Sequence, residues 1–315
     1  MRDTVLVTGG AGFAGQALLE ALAGHGFRLT AWHRPGGSPP SAPGVQWRGV
    51  DLLDAAAVRA AVADTRPSMV YHCAGAAHVG HSWQHADATL RVNVLGTHHL
   101  LDAIRLARLQ PKLLIPSSAM VYAIADAPIS EQAPLRPRSP YALSKLAQEM
   151  VSRHGLEPGM PPASIARSFN HLGPRQDATF AGSSFARQIA SIEAGLTAPV
   201  LKVGNLEAER DFTDVRDTVL AYRAMVEQGQ PGSTYNVCSG RAIAVGELLD
   251  RMLARSTVAI RIERDPARQR PHDQPRLVGD HARIRRELGW EPRIPLDQTL
   301  EDLLTYWRTR VRVSV

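Results

Sequence analysis

Residues 4–23 constrain the fold more than any other stretch of the chain. Residues 4–7 form a short apolar run that reads as a buried strand, Thr8-Gly9-Gly10-Ala11-Gly12-Phe13-Ala14-Gly15 as a glycine turn, and residues 16–23 as a helix. Strand, tight turn and helix in that order open a βαβ unit, whose parallel strands require a covering helix. The spacing Gly9-x-x-Gly12-x-x-Gly15 suits a sharp turn, a backbone that comes close to a pyrophosphate, and a helix N-terminus facing that anion. Gly9, Gly12, Phe13, Ala14 and Gly15 are therefore the first candidate cofactor residues.

The same rhythm continues. Strands are expected near Thr4, Arg28, Val45, Met69 and Lys112, helices near Gln16, Ala55, Asn93 and Pro140, and a sixth strand at 163–169. This alternation predicts an α/β fold, a Rossmann-type doubly wound parallel sheet. The second strand ends in His33-Arg34 with no carboxylate, the pattern expected where a 2′-phosphate is accommodated, so NADP(H) is favoured over NAD(H). A solvated loop charge is the plain alternative for Arg34. Asp51 and Leu52 close the third strand, where they can meet the adenine, although a helix N-cap role for Asp51 or Asp54 fits equally well.

Beyond Asn170 the rhythm breaks. A helix at 183–195, short strands at 200 and 234, a helix at 244–254, a strand at 258–264 and closing helices at 280–289 and 296–311 are expected, with 265–279 a loop. The strand-like run 233–238 returns to the main sheet in this reading. A cofactor domain at 1–169, joined by 213–240, is then interleaved with a smaller substrate-binding domain at 170–212 and 241–315.

Tyr141-Ala-Leu-Ser-Lys145 sets a phenol four residues before one of three lysines in a chain that holds 33 arginines. On a helix these positions share a face, so the ammonium is expected to lower the phenol's pKa and make Tyr141 a general acid. An incidental Tyr-x-x-x-Lys pair is the bland reading.

A net charge of +6 raises the question of nucleic acid, but the arginines are scattered and form no basic block. An anionic small substrate accounts for them as well. Cys73 and Cys238 lie in separate apolar strands without metal-ligand spacing, so neither a disulfide framework nor a metal site is expected. No signal-like N-terminus and no long apolar run is present, so a cytoplasmic protein without a membrane partner is expected.

The glycine turn, Pro116-Ser117-Ser118-Ala119-Met120-Val121-Tyr122 and Tyr141-x-x-x-Lys145 together resemble the extended short-chain dehydrogenase/reductase family. Cys73-Ala74-Gly75-Ala76-Ala77 resembles that family's loop under the cofactor, and Asn93-Val94-Leu95-Gly96-Thr97 its helix-start signature. The resemblance implies Ser118, Tyr141 and Lys145 as catalytic residues and adds Ala74, Gly75 and Ala76, with Tyr141 and Lys145, to the cofactor site.

Phe169-Asn170-His171-Leu172-Gly173-Pro174, Val203-Gly204-Asn205-Leu206, the run 210–217 and Arg270-Pro271 resemble the branch acting on GDP-4-keto-6-deoxy-mannose. This implies a GDP-linked sugar held by Asn170, Lys202, Arg210, Arg270 and Asp273. Asp273 departs from the glutamate usual in that branch. Dehydratases of the family carry a carboxylate just after the catalytic Ser or Thr. A thioether, Met120, cannot move that proton, so the implied activity is an NADPH-dependent reduction of the 4-keto group to GDP-rhamnose. A 4-epimerase with tightly bound NAD and a non-catalytic NADP(H) sensor are the rival readings. A homodimer is expected by analogy, through the Tyr141 helix and its neighbour.

Overall fold

Successive residues of a strand face opposite ways, and in β1 (Thr4–Thr8) both faces are apolar and buried, an arrangement that needs helices on each side of a sheet. A computed structural model describes residues 3–154, 159–268 and 274–313. After β1 come α1 (Phe13–Leu22), β2 (Arg28–His33), β3 (Val45–Gly49), α2 (Ala55–Thr65), β4 (Met69–His72), α3 (Val79–Gln84) and α4 (Ala86–Leu90). A π-helical turn, Arg91–Leu95, runs into α5 (Gly96–Leu106), followed by β5 (Lys112–Ser118), α6 (Pro140–His154) and β6 (Ala163–Ser168).

The second half supplies β7 (Asn170–Leu172), α7 (Ala181–Glu193), β8 (Val200–Val203), β9 (Glu209–Arg210), β10 (Phe212–Asp214), α8 (Val215–Glu227) and β11 (Thr234–Val237). It ends with β12 (Ile243–Ala244), α9 (Val245–Leu253), β13 (Arg261–Arg264), β14 (Arg276–Leu277), α10 (Ala282–Leu288) and α11 (Leu296–Val313).

The main sheet has seven parallel strands in the order β11-β6-β5-β4-β1-β2-β3. Val5 and Val7 join Leu18, Leu22, Val219 and Tyr222 on one face, while Leu6 joins Val70, Leu100, Ile104 and Ile165 on the other. The chain moves outward from β1 to β3, then returns to the far side of β1 with β4. That reversal opens a crevice at the carboxyl ends of β1 and β4, the usual ligand position in such sheets. The doubly wound sheet expected from the alternation is therefore present, and 234–237 does return to it, pairing with β6 at Thr234↔Ile165.

A third apolar cluster, built on Leu172, Phe185, Ile189, Leu201, Leu248 and Leu303, lies in the second half of the chain. Here the sequence reading needs correction. Asn170 opens a strand that pairs with β10 (Asn170↔Phe212), not a loop. The expected loop 265–279 contains β14, which pairs with β9, itself bonded to β12 on its other edge. The helix expected to start near Asn93 begins earlier, and Asn93 sits inside the π-helical turn.

Candidate active site

The glycine turn is fixed by contacts that leave no room for a side chain. Gly9 has φ +66°, and a Cβ there would lie 2.6 Å from the Ala74 backbone; one on Gly15 would lie 2.2 Å from the Gly9 carbonyl oxygen. Gly12 caps α1 without a side-chain hydrogen bond, and no acidic residue in the first turn, which includes Phe13 and Ala14, competes for an anion at this positive helix end. These features fit the pyrophosphate of a dinucleotide. Gly75 and Ala76 are clamped by Asn93, whose Oδ1 accepts from Ala76 N–H at 2.8 Å and whose Nδ2 donates to Ala76 O at 3.1 Å.

At the far end of the crevice, Asp51 makes a turn, accepting from Leu53 N–H at 2.9 Å, while Asp54 is the residue that caps α2. Leu52 is buried in the core, and a Cβ on Gly96 would lie 3.0 Å from it. His33 stands edge-on to Trp47, and Arg34 is exposed.

Ser118 ends β5 and accepts from Met120 N–H at 3.2 Å. Tyr141, the second residue of α6, is buried, with the Ser118 side chain beside its phenol. Lys145 lies one turn on, and its Nζ donates to Pro116 O at 2.7 Å and to Gln148 Oε1 at 2.8 Å. The structure thus brings Ser118, Tyr141 and Lys145 to one place, with uncharged Met120 beside them. Glu149, also on α6, is taken up by Arg167 at 2.7 Å and Ser117 at 2.5 Å.

The electrostatics differ from expectation in one respect. Burial pushes the Tyr141 phenol up, and the opposing influence is the Ser118 hydrogen bond rather than Lys145. The Lys145 ammonium is turned toward Pro116 and Gln148, so sharing a helix face does not deliver the expected depression. Lys145 itself is lowered to about 8 by burial.

On the substrate side, Arg210 is on β9, two residues before Phe212, which pairs with Asn170, so topology sets Arg210 and Asn170 on neighbouring segments. Arg210 Nη1 donates to the Glu209 carbonyl at 2.8 Å, and the nearby carboxylates Asp211 and Asp214 have partners of their own. Asp211 accepts from the backbone of Ser239, Gly240 and Gly279, and Asp214 from Arg216 at 2.7 Å. Lys202 is exposed on β8, its backbone bonded to the Gln188 side chain. Arg270 and Asp273 lie outside the described residues.

Comparison with known proteins follows this geometry. The family model for GDP-mannose 4,6 dehydratase matches residues 6–303. The chain belongs to the GDP-mannose 4,6-dehydratase family. This family lies within the extended short-chain dehydrogenase/reductases. The chain is 38% identical over 319 residues to GDP-6-deoxy-D-mannose reductase of Pseudomonas aeruginosa, covering 99% of each. The structure of RMD from Pseudomonas aeruginosa complexed with NADPH matches with a TM-score of 0.84 and 34% identity, covering 98% of this chain and 99% of that one. UDP-glucose 4-epimerase of Thermus thermophilus, complexed with NAD, matches with a TM-score of 0.86 and 28% identity, covering 97% and 99%.

Several residues around the family's Ser, Tyr and Lys were not singled out from the sequence. Ser82 accepts from Tyr141 N–H at 3.1 Å, and Asn93 Nδ2 donates to Ser144 Oγ at 2.9 Å. Thr97 and Gln148 connect to Lys145. None has a local sequence signal except Asn93 and Thr97, whose places at the two ends of the quoted Asn-Val-Leu-Gly-Thr run marked them as special without saying why.

Proposed function

We propose that the protein is an NADPH-dependent reductase converting the 4-keto group of GDP-4-keto-6-deoxy-D-mannose to the alcohol of GDP-D-rhamnose. The observation that carries this reading is the Ser118–Tyr141–Lys145 arrangement with Met120 where a dehydratase needs a carboxylate. Whole-length similarity to a GDP-6-deoxy-D-mannose reductase and to a structure complexed with NADPH supports it.

The glycine turn and α1 would hold the pyrophosphate, with the loop at Ala74–Ala76 beneath it, Asp51 at the adenosine end and Arg34 available to a 2′-phosphate. When bound, the nicotinamide cofactor supplies the hydride. Tyr141 donates its phenolic proton to the sugar's 4-oxygen, and Ser118 donates a hydrogen bond to the same atom, stabilising charge that grows in the transition state. Lys145 is placed to hold the nicotinamide ribose. Burial suits Tyr141 to this task, because a phenol kept neutral retains its proton until the alkoxide develops. Asn170, Lys202, Arg210, Arg270 and Asp273 are assigned to the nucleotide sugar, Arg210 and Arg270 to its diphosphate. In this reading 1–169 with 213–240 is the cofactor domain and the remainder the substrate domain.

The test is incubation of purified protein with NADPH and GDP-4-keto-6-deoxy-mannose. Loss of the reduced-nicotinamide absorbance with a product two hydrogens heavier supports the reductase. A re-formed stereocentre without net NADPH oxidation would replace it with an epimerase.

A second copy of the chain is assigned to the face bearing Leu143 and Met150, one heptad apart on α6, and Leu106 on α5, which are 50%, 57% and 51% exposed. These large apolar side chains lie on neighbouring helices, which supports a pairing surface there. Sedimentation equilibrium should give twice the 34.2 kDa chain mass, falling toward one in Leu143→Glu/Met150→Glu. A monomeric wild type would remove this assignment.

A further inference from the structure

A buried chain of hydrogen bonds ends on Lys145, and its direction can be worked out atom by atom. Thr97 donates its hydroxyl proton to Asn93 O at 2.7 Å, which leaves Oγ1 only acceptor capacity for its other neighbours. Gln148 Nε2 lies 2.7 Å from that oxygen and His72 Nε2 lies 2.9 Å from it, so both must donate. With its proton on Nε2, His72 accepts at Nδ1 from the Thr8 hydroxyl at 2.8 Å. Thr8 in turn accepts from Ala74 N–H at 3.3 Å. Because the Gln148 amide nitrogen is committed to Thr97, its carbonyl oxygen must face Lys145, as observed at 2.8 Å.

We propose that Gln148 is a positioning residue for Lys145: its carboxamide, held in one orientation by Thr97, fixes where the ammonium points. The inference rests on the reading of Lys145 as the residue that holds the nicotinamide ribose. It adds that the Lys145 ammonium is tied through Gln148, Thr97, His72 and Thr8 to the two segments that form the cofactor crevice, the end of β1 and the start of the loop after β4. Thr97, Gln148 and His72 are all buried, so water cannot replace a lost partner cheaply. A flipped carboxamide would present N–H groups to an ammonium and leave two donors opposed.

The titratable groups that Lys145 feels from the surrounding elements are His72 on β4, Cys73 just after it, and Glu149 on α6; Tyr141 shares its helix face one turn earlier. Burial and Lys145 hold His72 at about 3, and burial pushes Cys73 up to about 12. Glu149 is tied to Arg167 and Ser117. His72 and Cys73 are therefore both neutral near pH 8, and the titration of Lys145 reports on its hydrogen bonds.

With three lysines in the chain, full-length protein carrying lysine labelled with carbon-13 at the ε carbon gives three signals, assigned with Lys112→Arg and Lys145→Arg. In Gln148→Met the Lys145 titration midpoint should fall by about one pH unit, the effect of losing one hydrogen bond to a charged group. In Gln148→Glu it should rise by at least about as much. Thr97→Val, which frees the carboxamide to turn, should lower it by a smaller amount; it and Gln148→Glu carry the comparison should Gln148→Met fail to fold. The alkaline limb of kcat/KM for ketone reduction should move with each midpoint. Folded variants whose midpoints coincide with wild type would overturn the positioning role. Shifted midpoints in the variants, together with a wild type that reduces no sugar, would leave that role standing and remove the reductase instead.

Discussion

At Tyr141 a single oxygen separates the proposed acid from an inert ring. Phenylalanine fills the same buried space, and Ser118 keeps its bond from Met120 N–H, so Tyr141→Phe should fold and bind NADPH as wild type does. Its turnover should fall by about 100- to 10,000-fold, the range for loss of a positioned general acid. Steady-state rates and a cofactor titration on the same preparation check both halves. Unchanged turnover would remove Tyr141 from the chemistry. Tyr141 and Lys145 were legible in the sequence because their side-chain types and their spacing are themselves chemical signals, whereas Ser118 was legible only through the family resemblance of the run around it. Gln148 is three residues from Lys145 and still was not legible. Its role depends on Thr97, 51 residues away, and through it on His72, a further 25 away. Ser82, 59 residues from Tyr141, is hidden for the same reason. Hydrogen-bond partners brought together by the sheet leave no mark on local sequence.

The start of α6 shows how an element delivers its residue. A helix opens with N–H groups that have no partner within it. In α6, Pro140 has no N–H to satisfy, Tyr141 N–H donates to Ser82 Oγ, Ala142 N–H to Ser139 Oγ at 3.1 Å, and Leu143 N–H to Ser139 O at 2.9 Å. The first turn is complete, and Tyr141 is held through its own backbone. Ser139→Ala should therefore cost about 1 kcal/mol of stability, measured by urea unfolding, and should lower activity beyond that by loosening Tyr141. A variant as stable as wild type would show that the cap is dispensable. Elements of this length, with an apolar period and a Pro or Gly signal at one end, were readable. β7, β9, β10, β12 and β14 were not, since strands of two or three residues exist only through distant partners such as Ile243↔Arg210. The helix α8 was masked by charge: 210–217 carries Arg, Asp, Asp, Arg and Asp, and nothing local says that Asp214 caps a helix by accepting from Arg216 N–H.

At the scale of the molecule, the sheet order follows from the alternation of strands and helices, while the apolar cluster of the second half depends on pairings the sequence does not announce. What the whole fold imposes is burial, and burial sets how stability responds to pH. His72 is held at about 3 against an ordinary 6.5, so between those values the unfolded chain binds a proton that the folded chain refuses. Its contribution is fully present above pH 6.5 and is lost on acidification at about 1.4 kcal/mol per pH unit. His171, lowered by burial, acts in the same direction, whereas Asp211 and Asp217, raised by burial, oppose it.

On the alkaline side Lys145 is lowered to about 8 from 10.5. Between these values the unfolded chain again holds the extra proton, so stability increases as pH climbs through the window. Above about pH 9 the sign reverses, because Cys73 and Cys238, and at higher pH Tyr71, Tyr141 and Tyr222, are raised by burial and the unfolded chain releases protons that the folded one keeps. The urea midpoint should therefore be highest at about pH 9, not at neutrality. Lys145→Met removes the group responsible for the rise and keeps a side chain of similar length, so its midpoint should show no rise above pH 8 and fall once the cysteines of the unfolded chain titrate. A wild-type curve that already falls above pH 8 would mean that Lys145 is charged and well solvated in the folded protein, contrary to its burial beside Pro116 and Gln148.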